Sequence, residues 1–268
     1  MATTQDLARF SSKTLQFIEK ASRQKREDWL DRNRDEYEKV LLFPLQRMAL
    51  HLKKSLSGSA TGYHFPQKGL ARLKRSANRA QEYGSHFKDW ISYSAARPRV
   101  SRFDHNPNLF FLLQPGDPDG DEVLLAGGLY MPSSRQLRSI RETIAENAEP
   151  FQKLFGSKSF SAKFTSGFSD ERIATRPPRG FDPNHPQMNW LKLQAFFVWK
   201  SYSKKEFNSD SFFDLIAADG AQILRLNQLL DQALEGRLRV VEPKSADMPV
   251  RLTSKLEEIQ APRRKMDF

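Results

Sequence analysis

The chain contains no cysteine. That excludes disulfide bridges, thiolate zinc sites, iron–sulfur clusters and cysteine nucleophiles, and it fits a reducing compartment, with the cytoplasm as the default expectation. No stretch approaches the roughly 20 consecutive apolar residues that span a bilayer, and the opening MATTQDLARFSSK lacks the apolar run of a secretory signal. Neither secretion nor membrane insertion is expected. Histidine is scarce: His51, His64, His86, His105 and His185 show no pair at four-residue spacing and no zinc-ligand pattern. Asp117, Asp119 and Asp121 imitate the start of a calcium loop, but Pro118 and Gly120 intrude and the twelfth position is Gly128 rather than a glutamate. The phosphate-cradling G-x-x-x-x-G-K-[ST], the dinucleotide G-x-G-x-x-G and the G-x-S-x-G elbow are also missing. No metal and no cofactor is implied, and no familiar catalytic template fits.

What the sequence does hold is positive charge and aromatic surface. Of its 268 residues 43 are Lys or Arg and 32 Asp or Glu, a formal charge of +11, which favours anionic partners through a field that salt weakens. With 38% hydrophobic residues, among them 20 Phe and 4 Trp, the chain has apolar surface enough for a core, so global disorder is not expected. The charge is unevenly spread. Between Lys68 and Arg102 nine basic residues face two acidic ones and carry +7 of the +11.

Periodicity predicts an α+β protein. Leu15 to Leu56 is helical, broken near Ser22 to Arg26, with Pro44 expected to kink or end the second helix. Trp29 and Tyr37 read as core. Leu109–Leu113 and Val123–Leu129, joined by a Pro-, Gly- and Asp-rich loop, form a β-hairpin. Ser133 or Ser134 caps a helix with Leu137, Ile140 and Ile144 on one face and Arg135, Arg138 and Arg141 on another, bounded by Pro150 and Gly156. Phe160, Ala162 and Phe164 alternate as in a strand, and Arg172 to Thr175 suggests another. The stiff loop RPPRGFDPNHP precedes a helical turn and an aromatic strand. Asp210 is the expected cap of a last long helix that Gly236 ends, with Phe213, Ile216, Ile223, Leu226, Leu230 and Leu234 inward. The expectation is one domain over residues 1–235, with a central, mostly antiparallel sheet covered by long N-terminal helices and the long C-terminal helix. A basic, loosely attached tail follows over residues 236–268, with a short helix near Leu252 to Ile259.

Three features invite functional readings. The basic stretch interleaves Tyr83, Phe87, Trp90 and Tyr93 with its cations, a mixture that can hold phosphates by charge while bases stack on rings; the plainer reading puts the rings in the core and the cations in solvent. Asp182 near His185 has the makings of an acid–base pair, although a loop that supplies its own turn hydrogen bonds would use the same residues. Gly127 and Gly128 beside Tyr130 let a ligand approach the backbone, or mark a close approach within the sheet.

Read in order, QFIEKASRQKREDWLDRNRDEYEKVLLFPLQ, LLAGGLYMPSSRQLRSIRETI and PPRGFDPNHPQMNWLK resemble the successive signatures of the family called domain of unknown function 2461. Its pattern is matched by Trp29, by Gly127, Gly128, Tyr130 and Pro132, by Arg141, by Pro178, Gly180, Phe181, His185 and Pro186, and by Leu191 and Lys192. The resemblance spans roughly residues 10 to 235 and implies a single α+β domain without an established reaction. One departure stands out. Where relatives carry a stretch similar to Arg-Asp-x-Arg-Phe-x-x-Asp-Lys-x-Pro-Tyr-Lys, this chain has ARLKRSANRA, keeping cations but lacking the aspartates and the Pro-Tyr pair. If that stretch forms an active site in relatives, an altered or lost activity is the expectation here.

The leading expectation is therefore a site for a phosphorylated small molecule or nucleic acid built from Arg72, Arg75, Arg99, Arg102, Arg138, Arg179 and Lys192, since guanidinium forks suit phosphate. An enzyme using Asp182, His185 and Tyr130 at the same cleft is the second reading, and a non-enzymatic protein-interaction module the third.

Overall fold

The computed structural model describes residues 8–98, 103–117, 120–166 and 172–238. The first periodic stretch becomes α1 (Ser12–Ser22), where the Ser11 amide donates to Thr14 Oγ1 (3.2 Å) and Leu15, Phe17 and Ile18 are buried. After the expected break come the short α2 (Trp29–Arg32) and α3 (Arg34–Tyr37), a π-helical turn (Glu38–Leu42) and α4 (Phe43–Ser55). Pro44 does not end the helix. It sits in the first turn of α4, where the missing N–H is tolerated, and the wider π turn just before it absorbs the irregularity. Trp29 packs 5.3 Å from the Phe17 ring, and the Tyr37 hydroxyl donates to the Ala71 carbonyl (3.0 Å), so both rings serve the core as expected.

The chain continues through α5 (Ala77–Tyr83) and β1 (Ile91–Ala96) to the hairpin of β2 (Asn108–Asp117) and β3 (Gly120–Leu129). Next come α6 (Ser134–Glu146), α7 (Glu149–Gly156), α8 (Lys158–Ser161) and the two-residue β4 (Thr165–Ser166). α9 (Met188–Leu191), β5 (Phe196–Ser201), α10 (Lys204–Phe207) and α11 (Phe212–Leu238) complete the order. The sheet runs β1-β2-β3-β5-β4 with every pairing antiparallel. α1 packs on β2, and α11 packs on β2 and β3 as well as on α4, α6 and α7, burying Phe111, Leu113, Leu125, Ile216, Ile223 and Leu230 between the layers. The fold is α+β with one principal core. A smaller cluster of Phe110, Leu112, Leu124 and Ala126, flanked by Trp90 and Trp199, occupies the opposite face of the sheet.

The paired glycines answer to this packing. A Cβ on Gly127 would stand 2.2 Å from Ile223 Cγ2 of α11, and one on Gly128, whose φ is +114°, 2.1 Å from the Phe196 carbonyl of β5. Helix and neighbouring strand thus approach closer than any side chain allows.

Several local expectations change. Phe160 and Phe164 belong to a helical turn and its exit, not a strand; they are four apart as well as even-spaced, and their rings meet at 5.0 Å. Pro150 opens α7 instead of closing α6, and Arg172 to Thr175 forms only the bridge Ile173–Leu193. Asp210 pairs with Arg9, and α11 begins at Phe212 and runs through Gly236 to Leu238. The expected helix near Leu252 to Ile259 and most of the tail lie outside the described residues. Among the described residues no helix is long and apolar enough to cross a membrane.

Two acidic side chains of α11 are buried. Asp219 receives hydrogen bonds from Lys200 Nζ (2.8 Å) and the Tyr202 hydroxyl (3.0 Å), with Lys163 Nζ 2.6 Å from its other oxygen. Burial opposes its ionisation, but the bonds from Lys163, Lys200 and Tyr202 outweigh it and hold the carboxyl below its ordinary value. Asp231 fares differently. Burial lifts its pKa to about 6, against the opposing pull of Arg97, which lies 3.3 Å away and also pairs with Glu235.

Candidate functional site

The basic stretch forms a pinned arch. His64 bridges Ala96 at one end and Lys74 bridges Phe87 at the other, both antiparallel. Between these points the chain takes ten steps from His64 to Lys74 against nine from Phe87 to Ala96, one residue more than a flat ladder needs. Gly69 (φ +68°) and Ala71 (φ +54°), both left-handed, lie within the longer side. A left-handed conformation costs about 1–2 kcal/mol for a residue with a Cβ, and at Ala71 the Tyr37 hydroxyl bond helps to hold it. Strain of this kind persists where the surroundings over-determine it, and it is common at ligand sites.

Under the arch lies a cavity of about 250 Å³, lined by Pro66 to Arg72 on one side and by Lys88 and Ile91 to Ser94 on the other. It borders the free edge of β1. The Ala96 carbonyl accepts from the His64 amide on that edge (2.8 Å), so by alternation the backbone groups of Ser94 and Ser92 face it too.

Lys68, Arg72 and Lys88 line the cavity, and none of them has a carboxylate partner among the described residues. The Arg72 guanidinium lies over Gly69, where a Cβ would stand 2.9 Å from Nη2. Lys88 Nζ sits 4.4 Å from the centre of the Trp90 ring. Its amine is pulled below the ordinary lysine value by burial first, then by the charges of Arg75, Arg72 and Arg79. Arg75 is anchored by the Phe87 carbonyl (3.2 Å), Asp89 (3.3 Å) and the Tyr83 ring (4.4 Å). Tyr93, 3% exposed, also lines the cavity, and its buried hydroxyl has no hydrogen-bond partner. Burial drives that phenol far above its ordinary pKa.

The other expected site residues lie elsewhere. Arg138 is exposed on α6 and pairs with Glu142 one turn on (3.0 Å). Arg179 is exposed in the proline-rich loop, and half-buried Lys192, just past α9, accepts the Ala174 amide on its carbonyl (2.8 Å). Asp182 accepts from the Asn184 amide (2.9 Å) and His185 Nδ1 from the Gln187 amide (3.1 Å), so both side chains support their own loop. Tyr130 packs on Phe197 (4.9 Å) and under the Arg172 guanidinium (4.3 Å), which also donates to its hydroxyl. Arg99 and Arg102 lie outside the described residues. The cations thus gather in two places. One group surrounds the β1 edge, and Arg172 and Lys192 flank the chain entering β5, separated from β1 by two strands and so by about 14 Å at the usual spacing.

Lys68 and Lys88 entered the sequence reading only as cations of the basic stretch and Tyr93 only as one of its interleaved rings; none was among the expected site residues. Arg141, expected only as a helix-face cation and as part of the family pattern, is more deeply engaged than that. It donates to the Leu193 carbonyl (3.0 Å) while its Nε is buried without an acceptor, and burial lowers its pKa. Among the described residues no three His, Asp or Glu side chains converge as metal ligands do.

Fold and site together define an α+β protein with an uncompensated cationic cavity under a strained arch at a sheet edge. The family model described as conserved hypothetical protein (DUF2461) matches residues 13–228. The chain belongs to that family. No curated protein and no solved structure matches it.

Proposed function

We propose that the chain binds a phosphorylated or polyanionic ligand in the cavity beneath the arch. The observation that carries this reading is the gathering of Lys68, Arg72 and Lys88 around one hollow, with Arg75 and Arg79 close enough to act on Lys88 and no carboxylate lining it. Unpaired like charges repel, so an anion placed among them relieves that repulsion and gains charge-assisted hydrogen bonds. The lining holds neither a histidine nor a carboxylate, and Asp182, His185 and Tyr130 have other partners, which favours binding over acid–base chemistry at this cleft.

Trp90, under the Lys88 ammonium, supplies the readout. Titration with pyrophosphate at low salt is expected to change tryptophan fluorescence saturably, and Arg72→Ala and Lys88→Met each to weaken binding roughly tenfold or more, the worth of one charged hydrogen bond. A chain that binds no phosphate compound at low salt, or variants that bind as the parent does, would sink the reading.

A further inference from the structure

We propose that the anion this hollow receives carries a reactive carbonyl, an aldehyde on a short phosphorylated chain, and that the Lys88 amine captures it as an imine. This rests on the anion-binding reading above and adds the chemical class of its ligand.

Placement comes first. Lys88 lies one residue inside the Lys74–Phe87 bridge, and its amide donates to the Leu73 carbonyl (2.9 Å), so its backbone is fixed in one wall of the hollow. Arg72 and Lys68 belong to the other wall, with the Arg72 guanidinium over Gly69. An anion held by that second wall thus has Lys88 across from it. The cavity, about 250 Å³, is smaller than the roughly 300–1,000 Å³ of pockets for drug-sized molecules, which suits a phosphoryl group on a few carbons.

Lys88 also differs from lysines elsewhere in the fold. Lys74 pairs with Glu27 (2.8 Å), Lys153 with Glu149 (3.0 Å), and Lys163 and Lys200 with Asp219 (2.6 and 2.8 Å). A carboxylate partner favours the ammonium form, which has no lone pair to offer. Lys88 is half-buried, has no carboxylate partner among the described residues, and has its hold on the proton weakened by burial first and then by Arg75, Arg72 and Arg79. The Trp90 ring, 4.4 Å from Nζ, attracts the ammonium and offsets part of this. Arginine keeps its proton at any working pH, and Lys68 is exposed, so Lys88 is the cation here that yields. A lysine desolvated beside other cations is the arrangement that turns an amine into a nucleophile for carbonyl compounds.

The step balances within the two reactants. The Lys88 nitrogen attacks the carbonyl carbon, whose π electrons pass to oxygen. One nitrogen proton moves to that oxygen to give a carbinolamine; the second leaves with the hydroxyl as water, and a carbon–nitrogen double bond remains. Neither oxidant nor reductant is needed.

The test is reductive trapping on the full chain. Glyceraldehyde 3-phosphate, or glyceraldehyde as the control without phosphate, is added briefly with sodium cyanoborohydride near neutral pH, and peptide mass spectrometry follows each lysine. With the phosphate ester, Lys88 is expected to be labelled at least roughly tenfold faster than the well-exposed Lys153, because binding holds the carbonyl beside the amine. Glyceraldehyde should show no such preference, and pyrophosphate should suppress it in the parent chain. Arg72→Ala should lose most of it while retaining the parent's circular dichroism. Labelling of Lys88 no faster than of Lys153, or an equal preference with both aldehydes, would overturn this inference. The broader reading then stands if pyrophosphate still binds the parent, and falls with it if pyrophosphate does not.

Discussion

Asp231 shows how one residue sets a pH response. Its carboxyl is held near 6 instead of 3.8 because its burial and the charge of Glu235 together exceed the attraction of Arg97, while the partly buried Tyr63 lies close by. Between those two values the folded chain retains a proton that the unfolded chain has lost, so stability falls as pH rises through the window and then levels off. At about 1.4 kcal/mol per unit the effect reaches about 2–3 kcal/mol. Asp231→Asn is expected to flatten this slope and to exceed the parent by about 1–2 kcal/mol at neutral pH, measured by urea denaturation on either side of the window. At this scale the sequence was partly readable. That Asp182 and His185 would be used by their own loop was a stated alternative, because Asp and Pro next to turn positions make such bonds locally. That Tyr93 would be left without a partner was not readable, since an orphaned hydroxyl is defined by distant segments.

Elements joined by buried charge obey a different rule. Asp219 fastens α11 to β5 through Lys200 and Tyr202 and to the exit of α8 through Lys163, and removing one member leaves the others facing a neutral site. Asp219→Asn is expected to lower stability by about 2–4 kcal/mol, whereas Lys163→Met, at a position 37% exposed, should change it by less than about 1 kcal/mol, both measured by chemical denaturation. The hairpin, the aromatic strand β5 and the long final helix were legible because period and turn chemistry agreed. The strand expected at Phe160 to Phe164 was not, because a spacing of four satisfies both periods and the choice fell to packing against Phe155 (5.5 Å from Phe160). Gly236 failed to stop α11 for a related reason: a single glycine disfavours a helix by only about 1 kcal/mol.

For the whole molecule the net charge of +11 matters less than its layout. The excess between residues 68 and 102 was plain in the sequence, and part of it does surround one hollow. What composition could not reveal is that the sheet keeps Arg172 and Lys192 away from that hollow, since strand order is a long-range property. If the cavity is the anion site, its affinity for pyrophosphate should fall severalfold as salt rises from about 0.01 M to about 0.15 M, where the screening length shrinks from about 30 Å to about 8 Å; fluorescence titration at both salts checks this, and an unchanged affinity would mean that charge does not drive binding. The arch has one more effect. An unpaired outer strand ordinarily invites a stranger's chain to extend the sheet. Here the route past β1 is barred by a span tied down at His64 and Lys74 and lined with cations, while β4 at the other edge has only two residues among those described. The span that roofs this hollow is therefore also what keeps the β1 edge of the sheet from growing into its neighbours.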